Sequence, residues 1–322
     1  MTYPFGEHMG VCIGMHTPFF HTKENHHMKK PVFKGVATAL ITPFKNGELD
    51  YESYAKIVQD QVNRGVDALV VSATTGEVAT ITDDEQLALI GYTVRLVNHR
   101  VPVIAYTGSN CTDNSVTMTK EACRLGADAV LVITPYYNKT SKRGLLAHFT
   151  AIADASSVPV IVYNVPSRTG LNLTPDLYVE LAKHPMINGV KEANGNLDAI
   201  AETKRLVGDE LNIYSGNDDQ IYDIMDRGGL GVISVLANLL PYETGRIVKS
   251  YLEGNKEESK ALQEKYDPLI KALFCEVNPI PVKEAMSILG YCNLEYRLPL
   301  VPLEEEHKQR LLEEMRKVGI RC

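Results

Sequence analysis

Eight short apolar runs, separated by stretches that read as helices, constrain this chain more than any other feature. They lie at 35–42, 68–72, 102–107, 129–134, 159–164, 188–191, 212–215 and 231–235. Most follow their predecessor by about 20 to 35 residues, the length of a strand plus a crossover helix. They are apolar throughout rather than alternating, as strands covered on both faces are. Helical segments fall between them at 51–64, 83–98, 114–125, 144–155 and 175–183. Thr82-Asp83-Asp84-Glu85 and Thr174-Pro175-Asp176 read as helix starts, and Gly65 and Gly126 sit where helices should stop. Successive βα units in this number predict an α/β fold, a (β/α)8 TIM barrel. A doubly wound sheet is the competitor, but no GxGxxG opens the first unit.

After about residue 254 the pattern changes. Segments 256–265, 267–274, 281–289 and 303–318 read as helices with no strands between them. Residues 28–254 are therefore assigned to the barrel and 255–322 to a C-terminal helical appendage. Residues 1–27 stand apart: they carry His8, His16, His21, His26 and His27 with no clear period. They lack the basic start, apolar run and cleavage site of a signal peptide, so they read as an extension that is disordered or foreign to the fold, with Met28 a natural start.

Composition narrows the function classes. A net charge of −7 with no long basic run argues against a nucleic-acid surface. No stretch is long and apolar enough to span a membrane. Cys12, Cys111, Cys123, Cys275, Cys292 and Cys322 form no CxxC pair and no zinc-like spacing, which suits a reduced cytoplasm and points to no metal.

In such a barrel the site lies at the C-terminal ends of the strands. Strand two ends in Ala73-Thr-Thr-Gly-Glu77, strand three in Tyr106-Thr-Gly-Ser-Asn110 and strand four in Thr134-Pro-Tyr-Tyr-Asn138. Strand five runs into Tyr163-Asn-Val-Pro-Ser-Arg-Thr-Gly170, strand six ends in Lys191-Glu192, and strand seven in Ser215-Gly-Asn-Asp218. Hydroxyls, one lysine and one arginine therefore converge at one mouth, with no histidine among them. A lysine near a strand end is a candidate Schiff-base amine, because burial lowers its pKa and frees the nucleophile. The bland alternative is a lysine that snorkels to water. Each other residue has an ordinary use too: threonines cap helices, tyrosines pack, and an arginine in a Pro/Gly loop is a solvated charge. Their coincidence at one end of the barrel favours chemistry over those separate uses. Hydroxyls without metal ligands suit iminium catalysis, in which lysine is the electron sink and hydroxyls move protons.

On Thr74-Thr-Gly-Glu77, Thr134-Pro-Tyr-Tyr-Asn138, Tyr163-Asn-Val-Pro-Ser-Arg-Thr-Gly170, Gly189-Val-Lys-Glu192 and Ser215-Gly-Asn-Asp218, the chain resembles the dihydrodipicolinate synthase family of pyruvate-dependent class I aldolases. The resemblance runs from about Val32 to the end. It implies a homotetramer built as a dimer of dimers, acting on pyruvate and L-aspartate 4-semialdehyde in diaminopimelate and lysine biosynthesis, with no metal or organic cofactor. By that resemblance Lys191 forms the imine with pyruvate, and Tyr163 shuttles protons. Thr75 links Tyr163 to Tyr137, which reaches across the tight-dimer interface, and Arg168 binds the carboxylate of the second substrate. Thr74, Gly216 and Ile233 resemble lining for pyruvate and the relay.

The resemblance also implies a regulatory lysine site at Val78, Ala79, Asp83, Gln86, Asn110, Asn114 and Tyr136. Strongly regulated members carry a histidine and an acid there, so Gln86 and Asn114 imply weak or absent feedback. A sister aldolase, such as N-acetylneuraminate lyase or a 2-keto-3-deoxy sugar acid aldolase, is the alternative activity. Arg168 and the Thr74-Thr75 pair favour the synthase. A non-catalytic metabolite-binding protein of the same fold is the alternative class, against which Lys191, Tyr163, Thr75 and Tyr137 argue.

Overall fold

A computed structural model describes residues 28–322, so the expectation for the histidine-rich segment 1–27 lies outside the described residues. Eight parallel strands close into a barrel: β1 (Gly35–Ala39), β2 (Ala68–Val71), β3 (Val103–Tyr106), β4 (Ala129–Ile133), β5 (Val160–Asn164), β6 (Ile187–Glu192), β7 (Asn212–Ser215) and β8 (Gly231–Ser234). Closure is direct, since Gly35–Thr38 pair with Gly231–Ser234 while Ala37–Ala39 pair with Ala68–Val70. Every barrel strand residue is buried, which explains the uninterrupted apolar runs.

Side chains alternate between two cores. Outward residues such as Val36, Leu69, Val71, Val130 and Val162 pack under the helices. Inward residues such as Ala37, Val70, Ile104, Leu131, Ile161 and Ile233 fill the barrel. Phe33, just before β1, stacks on Tyr214 with ring centroids 4.3 Å apart, and the Tyr214 hydroxyl donates to the Phe33 carbonyl at 3.0 Å. Gly189 makes room for that ring, since a Cβ there would lie 3.2 Å from Tyr214 and 2.8 Å from the Asn212 carbonyl.

The helices include α1 (Tyr51–Asn63), α2 (Asp83–Val97), α3 (Thr112–Arg124), α4 (Lys142–Ala155), α5 (Pro166–Thr169), α6 (Pro175–Ala182), α7 (Leu197–Val207), α8 (Ile221–Asp226) and α9 (Pro241–Leu252). The start at Thr82 is a full capping box with Glu85, and Gly65 and Gly126 adopt left-handed φ of 82° and 91° just past α1 and α3. A hairpin absent from the sequence reading, Phe44–Lys45 with Glu48–Leu49, follows β1. Its strands are too short to show a period.

The C-terminal helices are α10 (Lys256–Leu273), α11 (Ile280–Ile288) and α12 (Glu305–Lys317). The first departs from expectation: 256–265 and 267–274 are one helix that carries Pro268 inside it. Proline removes one donor and disfavours the turn before it, yet the buried face of Tyr266, Leu269, Ile270 and Leu273 continues through. Among the described residues no helix is long and apolar enough to cross a membrane.

Phe33→Ala should therefore lower stability by about 3–5 kcal/mol, the usual cost of emptying an aromatic core site. Urea unfolding of this variant against the parent chain measures it; a loss within error of zero would mean that this ring adds nothing to the inner core.

Candidate active site

Parallel pairing sets the centre of the site. Tyr163 on β5 is in register with Lys191 on β6, and Lys191 with Tyr214 on β7. Paired residues face the same side of a sheet, and Tyr163 and Tyr214 both belong to the barrel interior. Lys191 is thus an inward lysine, 5% exposed, with its Nζ 4.3 Å from the centroid of the Tyr163 ring. Desolvation lowers its pKa to about 8, against the attraction of the buried Asp218 carboxylate and with some help from the Arg168 guanidinium. Desolvation likewise lifts the Tyr163 phenol to about 12, opposed by Arg168 and by a hydrogen bond with Thr74.

That last contact corrects one expectation. The Tyr163 phenol is joined to the Thr74 hydroxyl, whereas the Thr75 hydroxyl accepts from Asn278 Nδ2 at 3.0 Å. The loop runs so that Thr74 faces the barrel mouth and Thr75 faces the appendage; two adjacent threonines cannot be told apart from sequence. Arg168 sits on the single turn of α5, opened by Pro166 and stopped by Gly170 at φ 68°. Its Nη2 donates to the Asn278 carbonyl at 3.2 Å. Gly216 packs on the stem of Lys191: an added Cβ would lie 3.1 Å from Lys191 Cγ and 2.8 Å from Ala193 Cβ. Ile233 is buried in the barrel interior. Tyr137 is not drawn into this group; it is 91% exposed with φ 66°.

Directly outside Lys191, Glu192 points the other way and is held by Asn164 Nδ2 at 2.9 Å and by the Tyr178 hydroxyl at 2.6 Å. Burial pushes its carboxyl up to about 7 despite these bonds. Asp218, beyond β7, accepts from the Val235 and Leu236 N–H groups at 2.9 Å each. Its carboxyl is also raised by desolvation, which Ser234, these amides and Lys191 oppose.

A cavity of about 680 Å³ opens at this mouth, its lining including Thr74, Arg168, Val78, Ala79, Asp83, Gln86, Asn114 and Tyr136. Thr74 and Arg168 thus share one cavity with most of the expected regulatory residues, whereas Thr75, Gly216 and Ile233 do not line it, nor does Asn110, whose carbonyl accepts from Asn138 Nδ2 at 2.9 Å. Gln86 turns its amide inward to the Tyr106 carbonyl at 2.6 Å, and Asn114 donates to Asp83 at 3.0 Å. The sequence reading assigned no role to Glu77, although it ends the Thr74-Thr-Gly-Glu77 motif, and did not bring out Asn278 or Lys283. A signal existed for the last: Lys283 and Glu284 interrupt the apolar 280–286 stretch Ile-Pro-Val-Lys-Glu-Ala-Met, every residue of which is buried.

A buried amine of lowered pKa beside a hydrogen-bonded phenol, under an arginine-edged cavity, can form an imine with a keto acid and move protons at it. Comparison with known proteins agrees. Residues 32–318 match the model of the dihydrodipicolinate synthetase family. The 4-hydroxy-tetrahydrodipicolinate synthase of Alkaliphilus oremlandii is 48% identical over 289 residues, covering 90% of this chain and 100% of the relative. That of Caldicellulosiruptor saccharolyticus is 50% identical over 291 residues, covering 90% and 98%. The solved structure of dihydrodipicolinate synthase from Acinetobacter baumannii complexed with pyruvate superposes with a TM-score of 0.88 at 38% identity, covering 89% of this chain and 99% of that one. With a match that spans the whole barrel and most of the appendage, the chain belongs to the dihydrodipicolinate synthetase family.

Proposed function

We propose that this chain condenses pyruvate with L-aspartate 4-semialdehyde, the 4-hydroxy-tetrahydrodipicolinate synthase reaction, as a lyase of diaminopimelate and lysine biosynthesis in the cytoplasm. The observation that carries the proposal is the Lys191 amine, buried in the barrel interior against the Tyr163 ring. The free amine adds to the pyruvate carbonyl and water leaves, giving an iminium whose nitrogen draws electrons from the methyl group. A methyl proton passes through Tyr163 and Thr74, and the enamine remains. Its carbon attacks the aldehyde, whose oxygen takes up a proton. The amine of the second substrate then displaces Lys191 from the iminium carbon, closing the ring and restoring the enzyme.

Tyr163 at about pKa 12 is a phenol, so it gives or accepts a proton only through a partner that restores it; Thr74 is that partner within the chain. Tyr137, fully outside its own barrel, is suited to complete the relay in a second subunit, which supports a dimer within a homotetramer. Arg168, anchored by the Asn278 carbonyl, offers its remaining donors to the carboxylate of the semialdehyde. Gly216 and Ile233 border the pyruvate position. The covalent lysine supplies the electron sink, so the scheme uses no metal or organic cofactor.

Borohydride added with pyruvate should reduce the imine and fix the pyruvate mass on Lys191, and Lys191→Ala should abolish both trapping and coupled synthase turnover. Trapping that persists in Lys191→Ala would move the imine elsewhere. Assays with sugar acids in place of the semialdehyde separate the synthase from its sister aldolases.

The pKa of about 8 leaves roughly one tenth of Lys191 as free amine at pH 7. Because the lowered pKa favours the amine as pH rises, the imine-forming rate should climb through pH 7 and level off above about 8. A rate flat from pH 6 to 9 contradicts this. For regulation, Gln86 spends its amide on a backbone carbonyl and Asn114 offers no charge to an effector's ammonium. Lysine should inhibit weakly or not at all; half-inhibition at submillimolar lysine would refute that expectation.

A further inference from the structure

A second lysine is buried more deeply than Lys191, and the reaction scheme does not use it. Lys283 on α11 has no side-chain exposure and donates to Glu77 Oε1 at 2.5 Å, and Glu77 is equally inaccessible. The ammonium also lies 4.2 Å from the centroid of the Phe44 ring and 5.1 Å from that of Tyr296. A buried ion pair is a weak source of stability, since an apolar pair of the same volume serves as well or better. What a charge pair adds is direction: one geometry satisfies it and others leave a bare charge.

The direction here is informative. Glu77 ends the loop that leaves β2, in a left-handed conformation at φ 57°, and its N–H donates to the Thr74 carbonyl at 3.1 Å. Thr74 is the residue joined to the Tyr163 phenol. The same appendage grips the same loop again five residues earlier, where Asn278 donates to Thr75 at 3.0 Å and its carbonyl receives Arg168. The loop is thus tied at two adjacent points to the helical appendage and by its own backbone to the proton-relay threonine.

We infer that the Lys283–Glu77 ion pair is a positioning device through which the C-terminal appendage holds Thr74 on the Tyr163 phenol. The inference rests on the imine reading above. The side chains of Lys283 and Glu77 are inaccessible, so they act through the loop that carries Glu77; they set the proton-transfer steps and leave imine formation at Lys191 alone.

The test separates those two stages in Glu77→Gln, which keeps the shape, and Lys283→Met. Borohydride trapping reports imine formation; exchange of the pyruvate methyl protons with D2O, followed by NMR, reports the relay. In folded variants, trapping at saturating pyruvate should stay at the wild-type level while exchange falls by about tenfold or more, a share of what a positioned acid–base group contributes. Exchange at the wild-type rate, or exchange and trapping falling by the same factor, overturns the inference. If Lys283→Met does not fold, Glu77→Gln decides; if neither folds, the pair belongs to folding and the inference fails. A wild-type chain that traps no pyruvate overturns the imine reading instead, which keeps the two failures distinct.

Discussion

Removing water from one lysine is the constraint from which the rest of this site follows. An ammonium inside a barrel is expensive, and the chain reduces that cost by lowering the pKa of Lys191 to about 8. The apolar ring of inward side chains and the Tyr163 face supply the dry surroundings. Asp218 opposes the shift without cancelling it, because its own carboxylate is buried and bound to two backbone amides. The result is an amine that is partly free near neutral pH, which is the state a Schiff-base nucleophile needs.

Parallel registry delivers the second component. Tyr163 and Lys191 are neighbours because β5 and β6 pair in that register, and a slip of one residue would put Glu192 inside and Lys191 under the helices. The outward network of Glu192, Asn164 and Tyr178 works against such a slip: it satisfies a buried carboxyl only when Lys191 faces inward. Inward and outward side chains alternate along one strand, each enforcing the other's side.

The appendage is also more than a cover for the barrel. From α11 and the segment before it come Asn278 and Lys283, which reach Thr75 and Glu77 on the loop after β2. Nearby, Arg297 lies over the Phe44 ring and forms paired bonds with Glu85 at 2.7 and 2.6 Å. Loops at the C-terminal face of a barrel are free to vary in shape; here a separate layer of helices holds two of them.

Local signals in the sequence were enough for the alternation of strands and helices, the capping box at Thr82, the glycine stops at Gly65 and Gly126, and the convergence of Lys191, Tyr163, Arg168 and Thr74 at one mouth. Each depends on period, cap chemistry or the rule that barrel sites lie at strand ends, all of which act over a few residues. Contacts between distant segments decided the remainder. Whether Thr74 or Thr75 meets Tyr163 depends on how a loop turns between the barrel and the appendage. Whether α10 breaks at Pro268 depends on the buried face that carries it through. The Glu77–Lys283 pair joins residues 206 apart in the chain, and no pattern within either neighbourhood specifies which charge meets which; only the closed packing that excludes water from both makes them partners.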